Sequence, residues 1–328
     1  MKILIIQTAF IGDVILATPL IEKLRAFYPE ATIDFLVRKG NEGLLTGHPI
    51  LSKVLVFDKK HKKFRNLCRL IGTIRKERYD YVINLQRFMT SGIITVLSGG
   101  KKKIGFIKNP MSMFFSKACH HTFGNEHHFI HEVHRNLSLI EDLTDETFVK
   151  PKLYPGKEDF SKIPTSGKYV CIAPASVWFT KQFPVEKWVE LINKIPAAYS
   201  IFLLGAPSDK VLNETIKGKT LRPNVTDLAG KLTFLESAAL MKNATMNFCN
   251  DSAPLHLASA VNAPVTGIYC STVPSFGFTP LSDLSYIMES DLKLLCRPCG
   301  LHGHKSCPEN HFDCADIKID RILEAVHL

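Results

Sequence analysis

The chain has 328 residues, 45% hydrophobic and 22% charged, a composition that excludes a disordered chain and is long enough for two domains. Its formal charge of +10 is unevenly placed: residues 1–150 carry 23 Lys and Arg against 14 Asp and Glu, leaving 18 against 17 for residues 151–328. The longest apolar runs are strand-length, far short of the ~20 residues that a bilayer-spanning helix needs, so no transmembrane helix is expected.

The N-terminus MKILIIQTAFIGD meets Asp13 before any small-residue cleavage site, so it reads as a first strand, Ile3–Gln7, and not as a signal peptide. Val14, Leu16, Ala17, Leu20, Ile21 and Leu24 recur at helical spacing and predict a helix over Asp13–Phe27, with Thr32–Val37 as the next strand. Further strands are predicted at Val54–Phe57, Tyr81–Asn84 and Lys103–Phe106, and helices at Phe64–Lys76 and His127–Leu143. A Pro-punctuated stretch, Lys150–Gly167, separates this half from a second alternating set. There, strands are predicted at Tyr169–Ala173, Ser200–Leu204, Met246–Cys249 and Val265–Tyr269. Helices are predicted at Val185–Lys194, Asp209–Ile216, Leu235–Met241 and Pro254–Ala260. Strands alternating with helices make parallel sheets covered on both faces, and such sheets bind ligands at the carboxyl ends of their strands. The expected fold class is α/β, two doubly wound Rossmann-like domains over residues 1–155 and 165–328 that face each other across a cleft.

Four segments could carry chemistry. The turn Thr8-Ala9-Phe10-Ile11-Gly12-Asp13 follows the first strand; Gly12 permits close backbone approach, and Asp13 either caps the next helix or serves as a reactive carboxylate. The spacing lacks G-x-G-x-x-G, which disfavours a dehydrogenase. Ala173-Pro174-Ala175-Ser176, followed by Lys181, combines a small-residue turn, a hydroxyl and an ammonium, as a phosphate site or a solvated surface loop would. In Asn250-Asp251-Ser252-Ala253-Pro254-Leu255-His256, Pro254 suits a first helical turn, which would leave the N–H groups of Ser252 and Ala253 as an anion seat. Asp251 could be only the N-cap and His256 only a core histidine. The fourth segment has Cys296, Cys299, Cys307 and Cys314 in a C-x2-C-x7-C-x6-C pattern within a Gly- and His-rich loop, 296–314. With no export signal, such a cluster favours structural zinc or iron over disulfides, with reduced thiols as the alternative. His302, His304 or His311 could replace one thiol. Cys68, Cys119, Cys171, Cys249 and Cys270 read as core residues. The run His120-His121…His127-His128…His131…His134 lacks a carboxylate spaced to complete a metal site. It reads instead as a polar helix that partly protonates near an acidic membrane surface.

Taken together, IIQTAFIGDVILATP, the PAS-x4-K-x6-W block, LAGKLTFLESAALM, NDSAPLHLASAVNAPVTGIY and the CRPCG…CPENH…C segment resemble glycosyltransferase family 9 nearly end to end. Its best-known members are ADP-heptose:lipopolysaccharide heptosyltransferases. The resemblance implies a GT-B architecture and an inverting heptosyl transfer from an ADP-heptose donor to a hydroxyl of the lipopolysaccharide inner core. The N-terminal domain would receive the acceptor and the C-terminal one the nucleotide sugar. By position, Asp13 matches the general base. Gly12, Ser176, Lys181, Gly205, Leu232, Asp251, Ser252, Ala253 and His256 match donor-binding positions, and Lys181 also offsets charge on the departing ADP. No catalytic metal is implied, since the lysine and the helix start take its role. Ala253 stands where the family often has Gly, and A-F-I-G-D where it often has S-x-L-G-D. The basic half, with Lys59, Lys60, Lys62, Lys63 and Lys101, Lys102 and Lys103, would meet the phosphates and Kdo carboxylates of an anionic lipid precursor. That places the enzyme in the cytoplasm, peripheral to the inner face of the inner membrane. Nucleic acid is disfavoured as a partner, because no aromatic residues interleave the Lys101–Lys103 run.

Overall fold

The computed structural model describes residues 1–124, 129–163 and 167–326, which form two compact units. The first, Met1–Phe123 with Ile130–Tyr154, is built on six parallel strands. These are β1 (Lys2–Ile6), β2 (Thr32–Arg38), β3 (Leu51–Phe57), β4 (Tyr81–Asn84), β5 (Lys102–Phe106) and β6 (Lys117–Cys119), in the order β3-β2-β1-β4-β5-β6. Ile3, Leu4, Ile5 and Ile6 are fully buried, as a central strand covered by helices on both faces must be. The helices are α1 (Ile11–Ile15), α2 (Thr18–Phe27), α3 (Lys63–Glu77), α4 (Met89–Leu97) and α5 (Glu132–Leu137).

Two helices differ from expectation. The span Asp13–Phe27 is broken, because a continuous helix would need Pro19 to donate an N–H to Ile15 O. The Thr18 hydroxyl donates to that carbonyl instead, at 2.7 Å, and a new helix starts with Pro19 in its first turn. In the span His127–Leu143, residues 125–128 lie outside the described residues. The helix proper begins after His131, whose ring caps it by accepting the Val133 N–H at 3.1 Å, and it tightens to a 3-10 turn over Ser138–Leu143. Residues beyond α5 return to α2. The Lys23 ammonium is buried against the carbonyls of Asp145 (2.7 Å) and Thr147 (2.6 Å) and the Asp145 carboxylate. Tyr28 donates to Leu143 O and Tyr154 to Glu22, closing the unit on itself.

The second unit holds β7 (Tyr169–Ala173), β8 (Ser200–Leu203), β9 (Val225–Asp227), β10 (Met246–Asn250), β11 (Val265–Tyr269) and β12 (Ser285–Glu289). They lie in the order β12-β11-β10-β7-β8-β9, all parallel, which repeats the connectivity of the first sheet. Its helices are α6 (Lys157–Ser161), α7 (Val185–Lys194), α8 (Lys210–Lys219), α9 (Phe234–Asn243), α10 (Ala253–Ala260) and α11 (Ile319–Val326). Trp188 on α7 is fully buried, edge-on to Phe183, so the tryptophan of the PAS-x4-K-x6-W block is core. The chain enters α9 through a capping box in which Glu236 N donates to Thr233 Oγ1 and Thr233 N to the Glu236 carboxylate. Each sheet reverses winding direction once, between β1 and β4 and between β7 and β10, and those two crevices are where open α/β sheets bind ligands.

Candidate active site

In the first unit, the loop Thr8–Phe10 leaves the carboxyl end of β1 at its switch point. Asp13 sits one turn later, at the third position of α1, and accepts the Phe10 N–H at 3.0 Å, so it does cap this helix. It is half-buried, and its pKa is pushed up to about 6, first by desolvation and next by the charge of Glu132. The N–H groups of Phe10 and Asp13 itself, together with Arg87, pull the other way. Glu132 is buried and would be pushed up by burial, but the contacts of His121 and Arg135 outweigh that and hold it below the usual range. Arg135 Nε lies 2.6 Å and His121 Nε2 3.2 Å from its carboxylate. Helix α5 is pinned to α1 by the Asn136 amide, which donates to Leu16 O at 3.1 Å. Neutralising Glu132 by Glu132→Gln should therefore lower the Asp13 pKa, and Arg87→Gln should raise it. NMR titration of the Asp13 carboxyl from about pH 4.5 to 8.5 checks both signs.

The cations near this loop are not those that the basic run suggested. Lys101 precedes β5 and pairs with Asp80 at 2.7 Å, while Lys102 and Lys103 stand in register with Tyr81 and Val82. All three lie towards the amino ends of the strands, about 10 Å (Lys103) to about 17 Å (Lys101) of strand length from the carboxyl edge that carries Asp13, so the expectation that they bind acceptor is corrected. At the carboxyl edge stand Arg38, Lys59 and Lys63. The Lys59 ammonium donates to Thr8 O at 2.8 Å, and its pKa is lowered by burial and then by Arg38 and Lys63. Arg38 lies over the Phe10 ring, 4.8 Å from its centroid. Arg38 and Arg87 gave no sequence signal, because strand order alone brings them beside the loop.

In the second unit, the two motif loops meet at the crevice between β7 and β10. Asn250 bridges them: its amide donates to Pro174 O at 2.7 Å and its carbonyl accepts the Phe183 N–H at 3.0 Å. Lys181 forms an ion pair with Asp251 at 2.7 Å, and both side chains are largely buried. Asp251 also accepts the Thr272 hydroxyl at 2.6 Å, so it is more than a cap; the N-cap of α10 is Ser252. Ala253 and Pro254 open α10, where the first N–H groups have no intrahelical partner. His256 is buried within α10, its ring centroid 6.4 Å from that of Phe278. Ser176 is half-buried in the loop after β7, its carbonyl accepting from Gln182 at 2.6 Å. Gly205 and the half-buried Leu232 follow β8 and β9. Gly230, at φ +70, lets its turn close on the segment after Gly205, since a Cβ there would sit 2.9 Å from Pro207 Cα.

The cysteines sort in three ways. Cys296, Cys299, Cys307 and Cys314 line one cavity of about 240 Å³ together with His304 and His311. The Cys314 thiol is pushed up to about 11 by burial and by the neighbouring Cys299, Cys307 and Cys296, against Arg297. Cys296 Sγ lies 3.7 Å from His311 Nε2. Among the described residues, no three potential ligands already stand at coordinating geometry. Cys171, Cys249 and Cys270 are buried as expected, whereas Cys119 is half-buried and Cys68 exposed on α3, where the core reading fails. The histidines likewise do not form one polar helical face: His121 and His131 are buried, and His127 and His128 lie outside the described residues. No described helix is long and apolar enough to cross a membrane.

Comparison with known proteins bears on the family and the fold. The chain is 30% identical to lipopolysaccharide heptosyltransferase 3 of Escherichia coli over 80% of its own length and 82% of the relative's. It superposes on the E. coli ADP-heptose lps heptosyltransferase II with a TM-score of 0.82 at 20% identity, covering 100% of this chain and 98% of that one. An E. coli heptosyltransferase solved with ADP gives 0.78 at 18% identity, over 100% and 99% of the two chains. These two likenesses bear on the fold, that of two doubly wound α/β units. A family model, glycosyltransferase family 9 (heptosyltransferase), matches residues 67–307, most of the chain. The chain belongs to glycosyltransferase family 9, the heptosyltransferase family, and is a glycosyltransferase.

Proposed function

We propose that the protein transfers a heptose from ADP-heptose to a hydroxyl of the lipopolysaccharide inner core, with inversion at the anomeric carbon. The observation that carries this reading is Asp13, a desolvated carboxylate in the first turn of the helix that follows the switch-point loop, with its pKa pushed up to about 6. Ionised at neutral pH yet basic enough to accept a proton, it takes the hydrogen of the acceptor hydroxyl as that oxygen bonds to the anomeric carbon. The bond from that carbon to the diphosphate oxygen breaks with its electron pair, and ADP leaves. In the second unit, Lys181 and the start of α10, with Ser252 and Ala253, offset the charge that grows on the leaving diphosphate, so no catalytic metal is needed. Asp251 holds Lys181 in place. Gly205 and Leu232 flank the nucleoside, and Ser176 adds a hydroxyl to the phosphates.

The acceptor is an anionic lipid precursor, and Arg38, Lys59 and Lys63 supply the opposing charge at the edge that carries Asp13. The enzyme works at the inner face of the inner membrane without spanning it. A panel of nucleotide sugars and of lipid A–Kdo and heptosyl-Kdo acceptors, read by mass spectrometry, should give product only with ADP-heptose and a core acceptor. Product from a different nucleotide sugar would refute the donor assignment.

The four cysteines would hold a structural zinc or iron, for which one cavity lined by four thiols is a fitting donor set. Protein purified without chelator should carry about one metal per chain, measured by inductively coupled plasma mass spectrometry. Cys299→Ser with Cys307→Ser should lose it, and trace metal in the unmodified protein would sink the assignment.

A further inference from the structure

The charged groups of the diphosphate seat, Lys181 and Asp251, are both held from behind by one stretch of chain, the loop from Cys296 to Cys314. Thr180, the residue before Lys181, is buried. Its N–H donates to His304 O at 3.1 Å, and its hydroxyl oxygen accepts the His304 N–H at 2.8 Å and the Ser271 hydroxyl at 3.0 Å. The Ser271 N–H donates to Thr180 O at 3.2 Å, and the Cys299 N–H to Ser271 O at 2.9 Å. Within this ladder sits Gly303, at φ +76, where a Cβ would stand 2.8 Å from Thr180 Oγ1 and 3.1 Å from Lys181 Cγ. Arg297 grips the exit of β11. Its guanidinium donates to the carbonyls of Cys270 (2.7 Å), Tyr269 (3.2 Å) and Thr272 (2.7 Å) and pairs with Glu289 at 2.6 Å. Thr272 then donates its hydroxyl to Asp251.

We propose that the Cys296–Cys314 loop is a positioning element for the donor diphosphate, fixing Lys181 through Thr180 and Gly303 and fixing Asp251 through Arg297 and Thr272. The proposal rests on the reading of Lys181 and Asp251 as the diphosphate seat. Thr180, Arg297 and Gly303 touch no donor atom in this scheme. They act by ordering a long, flexible ammonium side chain before the ligand arrives, which removes an entropy cost that binding would otherwise carry. The order of the loop then sets donor affinity while leaving acceptor recognition, which lies in the other unit, untouched.

Thr180→Val keeps the shape at Cβ but removes the oxygen shared by His304 and Ser271, Thr180→Ser restores it, and Gly303→Ala intrudes on Lys181 from the loop side. ADP affinity is measured by titration calorimetry on the full-length protein, the two KM values by steady-state assay and folding by thermal melting. Thr180→Val and Gly303→Ala should weaken ADP binding about tenfold and raise the donor KM in step, with the acceptor KM within about twofold of wild type. Thr180→Ser should stay within about threefold of wild type for ADP. Folded Thr180→Val and Gly303→Ala with unchanged ADP affinity, or donor and acceptor KM rising together, would overturn the proposal. If Thr180→Val does not fold, Gly303→Ala decides alone. A wild-type protein that binds no ADP would overturn the seat and the proposal together, whereas normal wild-type binding with unaffected variants overturns the proposal only.

Discussion

Asp13→Asn should lower turnover by about 10²–10⁴-fold, the contribution of a positioned general base, while ADP affinity stays within about threefold of wild type. The amide can still accept the Phe10 N–H, so the helix keeps its cap. In the wild type the rate should rise with pH through about 6 and then level, because only the ionised carboxylate accepts the acceptor's proton. Stability runs the opposite way. A carboxyl whose folded pKa exceeds its unfolded value binds its proton more tightly in the folded state, so the charged form costs stability. That penalty is full above about pH 6 and disappears as pH falls below the unfolded value. Asp13→Asn should accordingly melt higher than wild type at pH 7.5, by roughly 1–3 kcal/mol, with the difference closing near pH 4. Calorimetry at the two pH values, alongside rate measurements, checks both signs. A variant that turns over normally would remove Asp13 as the base.

Lys181→Met should weaken ADP binding by about 30-fold or more, since a largely buried ammonium that meets a diphosphate is a charge-assisted contact worth about 2 kcal/mol. It should also destabilise the fold by about 2–4 kcal/mol, because Asp251 is left buried with the Thr272 hydroxyl in place of a counter-charge. Adding Asp251→Asn to Lys181→Met should recover much of that stability and none of the ADP affinity. Such a separation identifies Lys181 as a ligand contact and the ion pair as its support. Equal recovery of both would mean that the lysine is structural.

The strands were legible because parallel strands buried on both faces read as unbroken apolar runs, as in Ile3–Ile6 and Tyr169–Ala173. Helix α4, MTSGIITVL, was not, since it lacks the polar stripe that gives a helix its periodic signature. The three-residue strands β6 and β9 are shorter than any pattern can mark. In the site, Asp13, Lys181 and the Asp251–Ala253 turn stand out because each follows a strand and opens a helix or turn. Their partners do not: His304 meets Thr180 across 124 positions of sequence, and Glu132 reaches the neighbourhood of Asp13 only because α5 is hydrogen-bonded to the end of α1. The Lys101–Lys103 run misled for a related reason. Charge density along a chain does not say which end of a strand it occupies.

The buried Lys23 has a consequence for how the two halves can vary. Residues 143–154 are drawn back to α2 by Lys23, Tyr28 and Tyr154, so this stretch is tied into the first unit up to the residue before Pro155, where the long segment of the second unit starts. Insertions directly after Tyr154 would leave these contacts of the first unit in place.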